Sequence, residues 1–263
     1  MAGGAVMQQD FINTVKKALG RTRGLAPSTD LFTTSPSEKE QRILEKIRNR
    51  PAAEQQELVA RLQEVTGPLH VDLHETPSLE ETAMAIGRLV REKTPEWGTE
   101  KHVCRWNHPL INQLKLECLA ELQGIPIHTA PTVDRADSGQ PIPKSLKQQF
   151  RHQVEQSFLG ITTADYCVAA TATLALRSRA GQSRSVSLVP SIHVAVLEEK
   201  KLLATLEELY TLLKWDPVER KEGLTNNLSL ISGPSKTADI ELIMVHGAHG
   251  PRELHLFLIR PPQ

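Results

Sequence analysis

Asn227–Arg260, NLSLISGPSKTADIELIMVHGAHGPRELHLFLIR, carries the pattern from which the fold is read. It begins with a short apolar run, Leu228–Ile231, and ends with Leu254–Ile259, a second run of bulky apolar residues; both are predicted strands. Two polar, glycine-containing loops lie between them, Ser232–Asp239 and Gly247–Glu253. Gly233, Gly247 and Gly250 suit tight turns, and Pro234 and Pro251 restrict the backbone beside them. Ser232, Ser235 and Lys236 offer groups that meet an anion, and Thr237 is placed to cap a short helix with Asp239 in its first turn. Strand, glycine loop and helix start in succession form a geometry suited to a phosphate or carboxylate. The loop is not of the Walker type, because GxxxxGK[ST] is absent.

Upstream, apolar stripes at helical spacing alternate with short apolar runs. Leu69, Val71 and Leu73 read as a strand, and Ser78 with Glu81 makes a capping box for a helix carrying Leu79, Ala83, Ile86 and Leu89. His102–Trp106 is a predicted strand, followed by a helix from Pro109 that Gly124 stops, and then a strand at Ile125–His128. After a loop over residues 130–143, Leu146, Phe150 and Val154 stripe a helix ending at Gly160. Tyr166–Leu176, Val186–Val189 and Ile192–Leu197 read as strands, and Leu202–Leu213 as a strongly apolar helix. This rhythm predicts an α/β fold, a mostly parallel open sheet with flanking helices.

The first third reads differently. Helices are predicted around Phe11–Leu19, from the Ser37/Glu40 capping box to Pro51, and over Leu58–Val65, with Gly67-Pro68 as a stop. The expected division is an N-terminal helical segment with a linker, residues 1–67, and an α/β domain, residues 68–263.

The totals exclude several classes. Thirty-one basic and 31 acidic residues cancel, so no global charge favours nucleic acid or an acidic membrane. No run of 18 apolar residues predicts a membrane span, and no basic start followed by an apolar core predicts a signal peptide. Cys104, Cys118 and Cys167 are too scattered for a disulfide framework or a local cluster motif, which fits a cytoplasmic location. His246, His249 and His255 fall within ten positions, but no carboxylate stands at a familiar ligand spacing, so no metal site is expected there.

GPSKTADIE at Gly233–Glu241 and HGPREL at His249–Leu254 resemble the C-terminal signature of the LUD-domain family, in particular its lactate-utilisation protein C type. Gly160–Leu176 and Ser187–His193 resemble that family's middle signature. The resemblance implies the fold shared by glucosamine-phosphate isomerase, ribose-phosphate isomerase and the CoA transferases. It also implies a cytoplasmic, accessory ligand-binding subunit of a system oxidising L-lactate to pyruvate. In such a system partner proteins carry the iron–sulphur clusters, and this chain binds no cofactor itself. The rival expectation is a free-standing enzyme acting on a small phosphorylated or carboxylated metabolite. The chain departs from the family at one point: Ala170 and Ala172 stand where the middle signature usually has an acid and a glycine.

The expected ligand or anion contacts are Ser232, Ser235, Lys236, Thr237, Arg252, Thr162 and His193. Lys236 and Arg252 suit an anion, the arginine through a planar two-pronged contact. The catalytic candidates are His249, whose imidazole suits proton transfer, and Asp165 and Glu253, which can position it or exchange protons themselves. All are expected to face one cleft beyond the carboxyl ends of the strands.

Overall fold

The computed structural model describes residue 14 and residues 35–132, 144–222, 227–238, 244–247 and 249–260. Two compact units divide the chain, Met1–Gln41 and Arg42–Gln263. In the first, Ser37 and Glu40 make the expected reciprocal capping box: Ser37 N–H donates to Glu40 Oε2 at 2.9 Å and Glu40 N–H to Ser37 Oγ at 3.3 Å. The helix expected around Phe11–Leu19, apart from Thr14, lies outside the described residues.

The second unit is built on strands β1 (Val71–Thr76), β2 (Val103–Arg105), β3 (Ile127–Thr129), β4 (Leu159–Thr163), β5 (Tyr166–Val168), β6 (Thr173–Arg177), β7 (Ile192–Glu198), β8 (Leu202–Leu203), β9 (Leu228–Ile231), β10 (Lys236–Ala238), β11 (Met244–His246) and β12 (Glu253–Ile259). Six of them form one sheet in the order β1-β12-β7-β4-β2-β3, with every neighbouring pair parallel. The α/β reading is therefore correct. Parallel sheets need cover on both faces, and the strands are apolar on both sides accordingly. Ala195, Leu197, Leu254, Leu256 and Leu258 join one buried cluster, while Ile192, Val194, Val196, Phe257 and Ile259 join the other.

Helix Ala52–Leu69 contributes Val59 and Leu62 to the first cluster. The expected stop at Gly67-Pro68 is passed: Pro68 lies in the last turn, and the chain leaves the helix at His70, in the left-handed region with φ 57°. The division expected after residue 67 thus falls inside this helix. Helix Leu79–Glu92 covers the other face and starts as predicted, with Ser78 Oγ accepting from Glu81 N–H at 3.1 Å.

Five expectations are corrected. The helix expected over Leu202–Leu213 starts only at Leu206, capped by Thr205, and Leu202–Leu203 form β8. The helix expected from Pro109 to Gly124 ends at Gln113, because Lys115 adopts a left-handed conformation, and two 3-10 turns follow. Val186–Val189 is not a strand; a 3-10 turn covers Arg184–Ser187. Gly160 does not end a helix, since helix Lys144–Gln156 stops earlier and Gly160 sits inside β4. A Cβ there would lie 1.9 Å from the Val186 carbonyl oxygen, so close packing is what requires the glycine. The single strand expected over Tyr166–Leu176 is two antiparallel strands, β5 and β6, joined by a 3-10 turn at Ala169–Thr171. Ala172 closes that turn at φ 45° and ψ 32°, a conformation that favours glycine. With β8 and β9, these strands form a second, four-stranded sheet in the order β8-β5-β6-β9.

Candidate functional site

Parallel strands share one carboxyl edge, and the loops leaving β2, β4 and β7 meet there around a cleft of about 510 Å3. Trp106, His108 and Pro109 follow β2, Asp165 follows β4, and Glu198 and Lys201 follow β7. Arg177 and Arg179, at and just beyond the end of β6, complete the wall with Gln182 and Glu219. Its size lies within the range of small-molecule sites, roughly 300–1,000 Å3.

Asp165 organises this wall. Arg177 N–H donates to Asp165 Oδ2 at 2.8 Å, Arg177 Nη2 to Oδ1 at 2.9 Å, and Arg179 Nη1 to Oδ1 at 2.8 Å. Burial opposes ionisation of Asp165, but the two guanidinium groups outweigh it and hold the pKa below the ordinary carboxylate value. Arg177 also pairs with Glu219, whose Oε1 accepts from Tyr166 Oη–H at 2.7 Å. Burial, then the Glu219 hydrogen bond and charge, push the Tyr166 hydroxyl pKa upward, so it stays protonated.

Two groups in the cleft are differently placed. Lys201 Nζ lies 4.9 Å from the centre of the Tyr166 ring. His108 Nδ1 accepts from Leu110 N–H at 3.2 Å, which places the proton of the neutral ring on Nε2. Burial lowers the His108 pKa, with Asp165 acting in the opposite direction, so the neutral form prevails at pH 7. A lysine and an imidazole N–H are a suitable pair of donors for a small carboxylate.

The residues expected to share one cleft are divided between opposite edges of the sheet. Of the catalytic candidates, only Asp165 lines the carboxyl-edge cleft. Arg252 and Glu253 stand at the start of β12, whose first residue is in register with Ile192 at the start of β7. A loop that precedes a parallel strand must lie at the amino edge, which corrects the common-cleft expectation. Ser235 ties the two loops there: its N–H donates to Pro251 O at 2.7 Å, its carbonyl accepts from Gly247 N–H, and its Oγ accepts from His249 N–H at 3.3 Å. Lys236 and His249 are exposed. Arg252 Nη1 lies 3.9 Å from Glu96, and Glu253 is bound by Lys93 at 2.5 Å and His255 at 3.1 Å.

Thr237 caps no helix. It lies in β10, which pairs antiparallel with β11, so the strand–loop–helix geometry expected for an anion is a hairpin instead. Asp239 lies outside the described residues. Thr162 and His193 are interior residues on adjacent strands, with Thr162 Oγ1 and His193 Nε2 2.8 Å apart. Burial drives the His193 pKa down to about 3, aided by His255, so its ring is neutral. Ser232 joins a hydroxyl chain with Thr173 at 2.8 Å and, beyond it, Thr171 at 2.7 Å, which links the C-terminal loop to the turn containing Ala170 and Ala172.

Sequence reasoning missed Arg177, Arg179, His108 and Lys201. Arg177-Ser-Arg179 at a strand end was a legible signal, since a period of two sends both guanidinium groups to one side. Lys201 and His108 carried no signal; only the meeting of β2 and β7 loops shows them.

Comparison with known proteins adds the family. A lactate utilization protein C from Halalkalibacterium halodurans is 27% identical over 245 residues, 93% of this chain and 94% of that protein. One from an Exiguobacterium species is 28% identical over 266 residues, covering 96% and 95%. The uncharacterized protein YkgG of Escherichia coli is 36% identical over 99 residues, 38% of this chain and 42% of that one. Among solved structures, a DUF162 family protein from Deinococcus radiodurans matches with a TM-score of 0.49 at 18% identity, covering 78% of this chain and 98% of that chain. The LUD domain matches residues 57–259, almost the whole of the second unit, and the chain belongs to the LUD domain family.

Proposed function

We propose that the chain is an accessory ligand-binding component of L-lactate utilisation, acting in the cytoplasm, with the iron–sulphur clusters that oxidise lactate to pyruvate held by partner proteins. Support comes first from relatives named lactate utilization protein C, aligned along nearly the full chain. The observation that carries the reading is the carboxyl-edge cleft, in which Arg177 pairs with both Asp165 and Glu219, and Lys201 and His108 line the remaining space. A small carboxylate such as L-lactate would neutralise Lys201 and accept from His108 Nε2–H. Trp106 and Pro109 give the cleft an apolar wall that weakens competition from water.

The cysteines support placing the clusters elsewhere. Cys104 and Cys167 are fully buried, and burial pushes both thiols up to about 12, far from the thiolate form that ligates iron.

One observation favours a second reading, a free-standing enzyme acting on a small phosphorylated or carboxylated metabolite. His108 is a neutral imidazole at a cleft wall, in range of the charges of Asp165 and Lys201, and such a group can transfer a proton. Deleting the gene and capturing partners with a tagged chain separates the two. The accessory reading expects lost growth on L-lactate and co-purification of an iron-containing protein. Normal growth on L-lactate, together with turnover of such a metabolite by the isolated chain, would establish the second.

A further inference from the structure

At the amino edge of the sheet, β1 and β12 run parallel with Asp72 opposite His255. Side chains alternate along a strand, so Asp72, His74, Glu253 and His255 all project from one face. His255 is buried, with 4% of its side chain exposed, and both ring nitrogens are engaged. On one side, Nε2 lies 3.1 Å from Glu253 Oε2, and Lys93 Nζ reaches that same oxygen at 2.5 Å. On the other, Nδ1 lies 3.1 Å from His74 Nε2 and 3.5 Å from Asp72 Oδ2.

This is the arrangement in which a carboxylate fixes a histidine for a metal. With its proton on Nε2 and directed to Glu253, His255 presents the Nδ1 lone pair toward His74 and Asp72. Lys93 keeps Glu253 ionised and occupied, which makes it a positioning residue rather than a ligand. Donors about 2.1 Å from a tetrahedral ion are roughly 3.4 Å apart; His255 Nδ1 lies near that separation from both His74 and Asp72, and Asp72 must turn to bring its carboxylate to His74. His74 is held as well, its ring stacked on Phe257 at 4.4 Å with 13° between the planes. Asp72 is 59% exposed and lines an open cleft of about 610 Å3 along the β1 edge, so its carboxylate can turn toward the two imidazoles.

We propose that His74, His255 and Asp72 bind a divalent metal ion, with Zn2+ the ion that two imidazoles and a carboxylate suit, and that Glu253 orients His255 for it. Three protein ligands leave a fourth position open to water or to an incoming group from the cleft. The site differs from the sequence-near His246, His249 and His255 set, because the second imidazole comes from the neighbouring strand. It also stands apart from the carboxyl-edge cleft, and either site can exist without the other.

The test is calorimetric titration of the chelator-treated full chain with ZnCl2, with bound metal measured after desalting. One Zn2+ per chain is expected. Asp72→Asn and His74→Ala should each weaken binding at least tenfold, and Glu253→Gln by roughly 10- to 100-fold. Should the buried substitutions unfold the protein, Asp72→Asn decides, because that side chain is exposed. No uptake by the wild type, or wild-type affinity in Asp72→Asn, would overturn the proposal.

Discussion

Asp165 and Arg177 meet three times, through the Arg177 backbone N–H at 2.8 Å, its Nη2 at 2.9 Å and its Nε at 3.2 Å, so the strand end and the side chain are fixed by one carboxylate. The pair is nearly buried, with 13% and 6% of the side chains exposed. Removing one member of such a pair leaves the other charge without compensation. Asp165→Asn should therefore cost about 3 kcal/mol in urea unfolding at pH 7. A loss below about 1 kcal/mol would show that solvent already screens the pair.

The same carboxylate sets an acid limit. Its folded pKa is depressed below the usual 3.8, so its contribution is complete above that value and disappears as pH falls through the lower folded pKa. Wild type should lose stability below about pH 4 more steeply than Asp165→Asn, measured as urea midpoints between pH 5 and 2.

His193 gives a second pH dependence in a higher window. The unfolded ring takes up a proton near pH 6.5, and the buried folded ring only near pH 3. Between these values the unfolded state binds more protons, so stability falls as pH falls, by about 1.4 kcal/mol per unit from this residue. His193→Gln should flatten the stability profile between pH 6 and 4. An unchanged slope would mean that the ring is protonated in the folded protein.

Two small residues test the backbone account. Gly160→Ala should destabilise by about 3 kcal/mol, since its methyl group meets the Val186 carbonyl rather than a flexible side chain. Ala172→Gly should do the reverse, stabilising by up to about 1 kcal/mol by relieving a left-handed alanine. Thermal melts of both variants check the pair. A destabilised Ala172→Gly would mean that the buried methyl matters more than the strain.

What could be read from the chain depended on how local the signal was. The parallel sheet was legible because β7 and β12 are apolar on both faces and helix Leu79–Glu92 carries its own cap. The break of the Pro109 helix at Lys115 was not, since nothing in lysine announces a left-handed residue. The site was half legible. Asp165 was picked out, but its partners come from β6 and from loops after β2 and β7, an arrangement set by strand order. Ser235 and Arg252 looked like anion ligands because turn-forming and ligand-holding loops use the same residues.

The boundary expected at residue 67 gives a further prediction. Val59 and Leu62 are buried with the strands, at 2% and 0% exposure. A chain beginning at residue 68 should lose its cooperative melting transition, whereas one beginning at residue 42 should keep it. A sharp transition in the shorter chain would place helix Ala52–Leu69 outside the folding unit.

The proposed occupant of the carboxyl-edge cleft is a small carboxylate. The most direct measurement is the melting-temperature shift produced by L-lactate in the wild type, Lys201→Met, Lys236→Ala and Arg252→Ala. Ligand at 100 times its dissociation constant stabilises by roughly 2.7 kcal/mol, which such a shift resolves. A shift is expected in the wild type that Lys201→Met abolishes and that Lys236→Ala and Arg252→Ala retain. A shift retained in Lys201→Met and lost in Arg252→Ala would contradict it and place the carboxylate at the opposite edge of the sheet.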